Sequence, residues 1–281
     1  MSCSKPRVIR TRVSRALVKS GLPDLDYALN PYLGCWHACT YCYGRLYVRD
    51  PMVSANWGQV ILVRENIVEA VRREVKGLAK GVVGVGTITD AYQPVEALYK
   101  LTRECILVLL ENGFEVSIQT KNPLILRDLD LLVEHRKLVD VGFTITTLNK
   151  EKALFIEPCA PSPKSRVKAL EKIASYDINT WVFMGPIIPG INDRVDDIEE
   201  LVLLAKDTGS IFYYDKLRVK EFMLNPKHPL HPYALRAKVY DWNRLYRMIN
   251  EVCRRHGVKC LFGMDYSSTR ERSQTSLDRF I

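Results

Sequence analysis

The chain has 281 residues, 47% of them apolar, enough to bury one large core as a single α/β domain or two smaller ones. Its net charge of +9, from 41 basic and 32 acidic residues, allows contact with polyanions. The longest apolar runs, such as 105–110 and 201–205, fall far short of the roughly 20 residues a membrane span needs, which argues against a transmembrane helix.

In chain order, the first feature is a basic segment. Lys5, Arg7, Arg10, Arg12, Arg15 and Lys19 face no acid within the first twenty residues. Such an arm can follow the phosphates of DNA or RNA, or simply be solvated. A strand over 27–33 then leads into a loop reading N-P-Y-L-G-C-W-H-A-C-T-Y-C-Y-G-R. An extended piece, 59–63, precedes a helix over 65–76 that Gly77 and Gly81 end.

The rest alternates. Strands are expected at 82–88, 115–120, 139–146, 178–184 and 210–214. Helical periodicity covers 95–110, stopping at Asn112-Gly113, then the stretch from Pro123 to about 135, and 164–175 and 193–206. A long final helix lies within 230–256, followed by a short run at 258–262 and a polar tail. Apolar strands, each followed by a helix, argue for a parallel sheet covered by helices. Six such units are too few for a closed eight-stranded barrel. The organisation expected is a basic arm (1–20), a core (21–225) and a C-terminal helix and tail packing on it (226–281).

Polar residues gather at the carboxyl ends of these strands: Thr87, Thr89 and Asp90, then Thr120 and Lys121, then Thr144, Thr146 and Thr147. That edge is where parallel α/β sheets bind ligands.

The cysteines sharpen the reading. Cys35, Cys39 and Cys42 form C-x3-C-x2-C, and three thiolates in eight residues can converge on one metal centre. Zinc would need a fourth ligand, which His37 could supply, giving a zinc-binding interaction module. An iron–sulfur cube would keep one iron open to a substrate or cofactor. The absence of a second C-x2-C and the strand context favour the cube. The eight cysteines show no other pairing pattern, and no leading segment reads as a cleavable signal, so a cytoplasmic chain with reduced thiols is expected.

The triplet, with the aromatic Tyr41 before its last cysteine, resembles the signature of the radical S-adenosylmethionine (SAM) superfamily. The resemblance is closest to the spore photoproduct lyase-like group, also labelled DNA repair photolyase-like. It runs through the cysteine loop, T-D-A-Y-Q-P-V-E, T-K-N-P-L-I-L-R-D-L-D-L-L and P-I-I-P-G-I-N-D, over half the chain.

It implies a partial (β/α)6 TIM-type barrel with a C-terminal helical extension, and a [4Fe-4S] cluster on Cys35, Cys39 and Cys42. The open iron would bind SAM, whose reductive cleavage gives a 5′-deoxyadenosyl radical that abstracts hydrogen from a substrate. An electron donor such as ferredoxin or flavodoxin is implied too. By the same resemblance Tyr41 lies near adenine with Ile188 as a further apolar contact, Thr89 and Asp90 meet the methionine end, Lys121 pairs with the SAM carboxylate, and Thr146 bonds the ribose.

One departure stands out. Where the lyase carries the cysteine that returns a hydrogen atom to product, this chain aligns Thr87, whose O–H bond is too strong to donate readily. Thymine-dimer repair by that route is therefore not expected. The substrate is read as a nucleic acid or, alternatively, a small molecule or peptide. Cys159, in E-P-C-A-P-S-P, is the candidate substitute as a radical relay, while Cys105 reads as core packing. One of Tyr213 and Tyr214 is expected to point into the barrel and the other outward. His228 and His231 mark a proline-rich loop closing the barrel, and the tail 267–279 a lid or a mobile end.

Overall fold

Residues 3–263 are described in the computed structural model of the chain. Four short strands open it: β1 (Arg7–Thr11), β2 (Leu17–Lys19), β3 (Tyr27–Leu29) and β4 (Tyr32–Leu33). Next come α1 (Pro51–Ala55), β5 (Val60–Arg64), α2 (Ile67–Glu74), β6 (Val82–Val85), α3 (Glu96–Tyr99), α4 (Leu101–Glu111) and β7 (Glu115–Thr120). The second half runs α5 (Leu129–Glu134), β8 (Val139–Thr144), α6 (Lys150–Ile156), α7 (Pro163–Ala174), β9 (Asn179–Ile187) and α8 (Val195–Asp207). It closes with β10 (Ile211–Lys216), α9 (His231–Lys238), α10 (Trp242–His256) and β11 (Cys260–Phe262).

The strands form two sheets. The larger has the order β11-β10-β9-β8-β7-β6-β3-β2, parallel throughout except for the antiparallel β2–β3 pair. Among the described residues its first and last strands stay edges, so this is the expected partial barrel and not a closed one. Along β7, Val116 and Ile118 are buried beneath helices, whereas Ser117 and Gln119 face a cavity of about 110 Å³. Side chains of β6 to β10 and of the loop after β2 line that cavity, so the open sheet curls around an interior. The smaller sheet, β1-β5-β4, holds the basic segment: β1 pairs parallel with β5, Arg7 opposite Val60. Within the basic segment, Arg7–Thr11 is thus built into the smaller sheet and Leu17–Lys19 into the larger one, instead of forming a free arm.

The expected strand over 27–33 divides at Asn30-Pro31, where proline brings no N–H to the ladder. Asn30 uses the break: its side chain donates to Thr87 Oγ1 at 3.0 Å and accepts from Ile88 N at 3.1 Å. The expected helix over 95–110 also breaks, at Lys100, which sits at φ 52°. The buried Glu96 carboxylate accepts from Thr102 N at 2.9 Å and so caps the second piece in place of a continuing turn. The long final helix expected within 230–256 is α10, which Asp241 starts by accepting from Arg244 N, with the shorter α9 before it. Helix α6 was not anticipated, although Asn149 caps it through Glu151 N and Lys152 N. The tail 267–279 lies outside the described residues.

Glycine at 142 makes room for an interior aromatic. A Cβ there would lie 2.1 Å from the Trp181 ring, whose Nε1 donates to Asp140 at 2.7 Å. Gly142→Ala is expected to cost about 1–3 kcal/mol in urea unfolding, because the indole must move off its hydrogen bond. Unchanged stability would mean that the tryptophan is not packed this way.

Candidate active site

The cysteine loop leaves β4 through Gly34, which takes φ 82° and lies so close to the neighbouring strand that a Cβ would sit 2.3 Å from Val60 O. Two tight turns follow, Ala38 N to Cys35 O at 3.2 Å and Cys42 N to Cys39 O at 3.1 Å, which fold the three cysteines back on one another. All three are free thiols, Cys35 and Cys39 buried and Cys42 half-buried. Burial pushes the Cys42 thiol up to about 11 and Cys39 well above the usual thiol range. Burial acts on Cys35 too, but His37 beside it outweighs that and holds it below the usual value.

The connection from β6 to α3 braces this loop. Thr89 Oγ1 donates to Gly34 O at 2.6 Å, and Gln93 donates to the same carbonyl at 2.9 Å while accepting from Trp36 N at 2.9 Å. Asp90 is buried and accepts from Thr120 Oγ1 at 2.7 Å, Lys121 N at 2.8 Å and Tyr92 N at 2.9 Å, with His37 Nδ1 at 3.3 Å. Burial alone would raise its carboxyl, yet His37 and these donors hold it down at about 2. Thr89 and Asp90 therefore spend their side chains on the protein, fixing Gly34 and the backbone of Lys121.

A second buried ionic group lies near Cys39. Glu157, at the end of α6, accepts a short hydrogen bond from the Tyr41 hydroxyl and pairs with Arg166 of α7 at 2.5 Å. Lys121 Nζ stands 4.0 Å from Glu157 and 5.9 Å from the centre of the Tyr41 ring. Burial would lower the Lys121 ammonium, but the Cys39 thiol and the Glu157 carboxylate raise it, so it stays charged. Arg166 also donates to Pro161 O and, at 3.0 Å, to Thr144 O at the end of β8. Two cations face one carboxylate beside three thiols, which leaves a net positive charge suited to an anionic ligand group.

Ile188 is fully buried in a small apolar cluster against which Tyr41 packs, so those two expected contacts are brought together. Thr146 Oγ1 is buried and has no hydrogen-bond partner among the described residues. A buried hydroxyl of that kind is costly unless a further group meets it.

Cys159 differs from its expected role. Its sulfur is bonded to Cys3, so it has no S–H to give, and Cys253 is likewise bonded to Cys260. Both pairs also depart from the expectation of reduced thiols, because partners 156 residues apart are invisible in local spacing. Cys105 is buried in the core as expected. Tyr213 lines the interior cavity and Tyr214 packs in the core. His228 accepts from Leu230 N at 3.2 Å and packs against Phe222, a loop-shaping role.

Sequence reasoning missed Glu157, Arg166 and Gln93. Gln93 stands inside a quoted motif, but the Tyr41–Glu157 contact joins residues 116 apart and leaves no local signal.

Among the described residues no three His, Cys, Asp or Glu side chains close on a single ion. Tetrahedral zinc, with Zn–S near 2.3 Å, needs sulfurs about 3.8 Å apart. His37, the fourth ligand that zinc would require, is instead held between Cys35 and Asp90. A set of three free thiols on one loop suits an iron–sulfur cluster, which cysteine thiolates hold.

The model of the Radical SAM superfamily matches residues 29–205. An uncharacterised protein of Methanocaldococcus jannaschii is 31% identical over 217 residues, covering 77% of this chain and 80% of its own. Another uncharacterised protein, from Acidianus two-tailed virus, is 34% identical over 209 residues, covering 72% of this chain and 68% of its own. Among solved structures, spore photoproduct lyase complexed with dinucleoside spore photoproduct superposes with a TM-score of 0.68 at 14% identity, over 91% of this chain and 81% of the lyase. Streptococcus suis SuiB bound to S-adenosylmethionine gives 0.56 at 11% identity, over 84% of this chain and 49% of SuiB. At these identities the two structures speak to the fold alone. No helix of the described residues is long and apolar enough to cross a membrane.

Proposed function

Because the chain belongs to the Radical SAM superfamily, we propose that Cys35, Cys39 and Cys42 hold a [4Fe-4S] cluster and that the enzyme uses it on SAM. Once reduced by a donor such as ferredoxin or flavodoxin, the bound group would cleave SAM to a 5′-deoxyadenosyl radical that takes hydrogen from the substrate. The observation carrying this reading is the loop of three free thiols with the charged Lys121 beside Cys39 and Tyr41; the buried Thr146 hydroxyl, unpartnered among the described residues, supports it.

The chain's own residues then divide the work. Lys121 receives the SAM carboxylate, with Glu157 limiting where the ammonium can swing. Thr146 bonds the ribose, and Tyr41 with Ile188 presents the apolar surface for adenine. Thr89 and Asp90 serve the methionine end by fixing the loop at Gly34 and the start of the Lys121 turn. Thr87 lies on the cavity wall and accepts from Asn30, and Cys105 is the one free thiol outside the triplet among the described residues. Cys105 is buried in the helical core, so the proposed reaction runs without a thiol hydrogen donor of this chain.

For the substrate we propose a nucleic acid. Lys5, Arg7, Arg10, Arg12, Arg15 and Lys19 are all exposed on or beside β1 and β2, where phosphates can reach them. The test is anaerobic reconstitution with SAM, dithionite and DNA, RNA or peptide. The expected result is 5′-deoxyadenosine whose yield rises with nucleic acid. A yield that rises only with peptides or small molecules would transfer the substrate to that class. A colourless zinc protein that leaves SAM intact would refute the enzyme reading.

A further inference from the structure

Immediately after Cys42 the chain reads Y-G-R-L-Y-V-R-D-P-M, a 3-10 turn (Tyr43–Leu46) followed by α1. Within these ten residues four large apolar side chains stand in solvent: Tyr43 at 45% exposed, Leu46 at 56%, Tyr47 at 62% and Met52 at 45%. Exposed apolar groups gathered this tightly mark a contact surface. The two tyrosine rings meet edge to face with centroids 5.7 Å apart, leaving ring surface uncovered.

Cations alternate with the rings. Arg45 is seated over Phe222 at 4.9 Å and Arg49 is exposed. The single acid of the segment, Asp50, is used internally, accepting from Met52 N and Val53 N to cap α1. The platform is also continuous with the interior, because Tyr43 lines the cavity and its hydroxyl donates to Thr87 O at 2.8 Å. Helix α1 packs on the sheet that carries the basic strand β1.

We propose that Tyr43 and Tyr47, flanked by Arg49, form a stacking platform for unpaired nucleotides, so that the polyanion docking here is single-stranded. This inference rests on the nucleic-acid reading above and narrows it. Rings standing proud of a surface can stack only on bases whose faces are free, and in a duplex those faces are already covered. Flanking cations supply phosphate attraction without sequence preference, and the path along Tyr43 leads an unpaired base toward the cavity.

Fluorescence anisotropy with the reconstituted holoenzyme tests it, using short labelled single strands of DNA and of RNA and the duplex of the same sequence. Single strands are expected to bind more tightly than duplex. Tyr47→Ala is expected to weaken them about 5- to 100-fold, leaving duplex affinity, salt slope and iron content unchanged. Tyr47→Phe, which keeps the ring, should restore binding, and a preference between DNA and RNA would identify the strand concerned. Equal affinity for duplex and single strand, or single-strand binding that ignores Tyr47→Ala, overturns the platform while leaving the nucleic-acid reading intact. No binding of any nucleic acid at low salt overturns both.

Discussion

Cys39→Ala is expected to bind no stable iron–sulfur cluster and to form 5′-deoxyadenosine only at the level of a protein-free control. Cys39 is buried at the centre of the triplet, and no other free cysteine on this loop can replace it. Losing one of three thiolates leaves two, too few to hold the cluster. The loop itself has independent support, since Thr40 N donates to Ile156 O at 2.9 Å and Gln93 grips Gly34 and Trp36. The variant should therefore fold, with circular dichroism close to that of the parent. Cys105→Ala is the matched control. It removes a free thiol from the core at a cost on the order of 1 kcal/mol and should keep iron, colour and SAM cleavage. If both variants lost the cluster alike, the assignment of the ligands would be wrong.

Arg166→Ala is expected to be the most destabilising single change near the site, by about 3–5 kcal/mol, or about 6–20 °C in melting temperature. The guanidinium is 1% exposed and reaches Glu157, Pro161 O and Thr144 O at once, a geometry that a lysine cannot reproduce. Its removal strands a buried carboxylate. Burial alone would raise the Glu157 carboxyl, but Arg166 and Lys121 hold it below the ordinary carboxylate value. The stability from this pair is therefore full above the unfolded carboxyl value of about 4.3 and is lost as pH falls through the folded one. Without Arg166 the folded value rises, so acid unfolding of the variant should begin at higher pH than that of the parent. Thermal melts between neutral and acidic pH would show this, and parallel curves would argue against a buried pair.

What the sequence disclosed was local. The C-x3-C-x2-C spacing, the strand at 115–120 and the cluster of polar residues at strand ends each follow from neighbouring residues, and the structure brings most of that cluster around the cysteine loop. What stayed hidden joins distant positions. Glu157 meets Tyr41 across 116 residues, and Cys3 meets Cys159 across 156. The helix break was hidden for a related reason: periodicity favours one helix through Lys100, but the buried Glu96 carboxylate gains more by capping a second. The basic segment reads as an arm by charge alone, whereas pairing of β1 with β5 depends on a strand some fifty residues on.

The most direct test of the central claim is electron paramagnetic resonance on the anaerobically reconstituted, dithionite-reduced chain, with and without SAM, alongside iron and sulfide analysis. The expected result is about four irons and four sulfides per chain, with a reduced-cluster signal that changes shape when SAM is added and is absent from Cys39→Ala. A cluster signal indifferent to SAM, or a chain that takes up zinc and no iron, would contradict it.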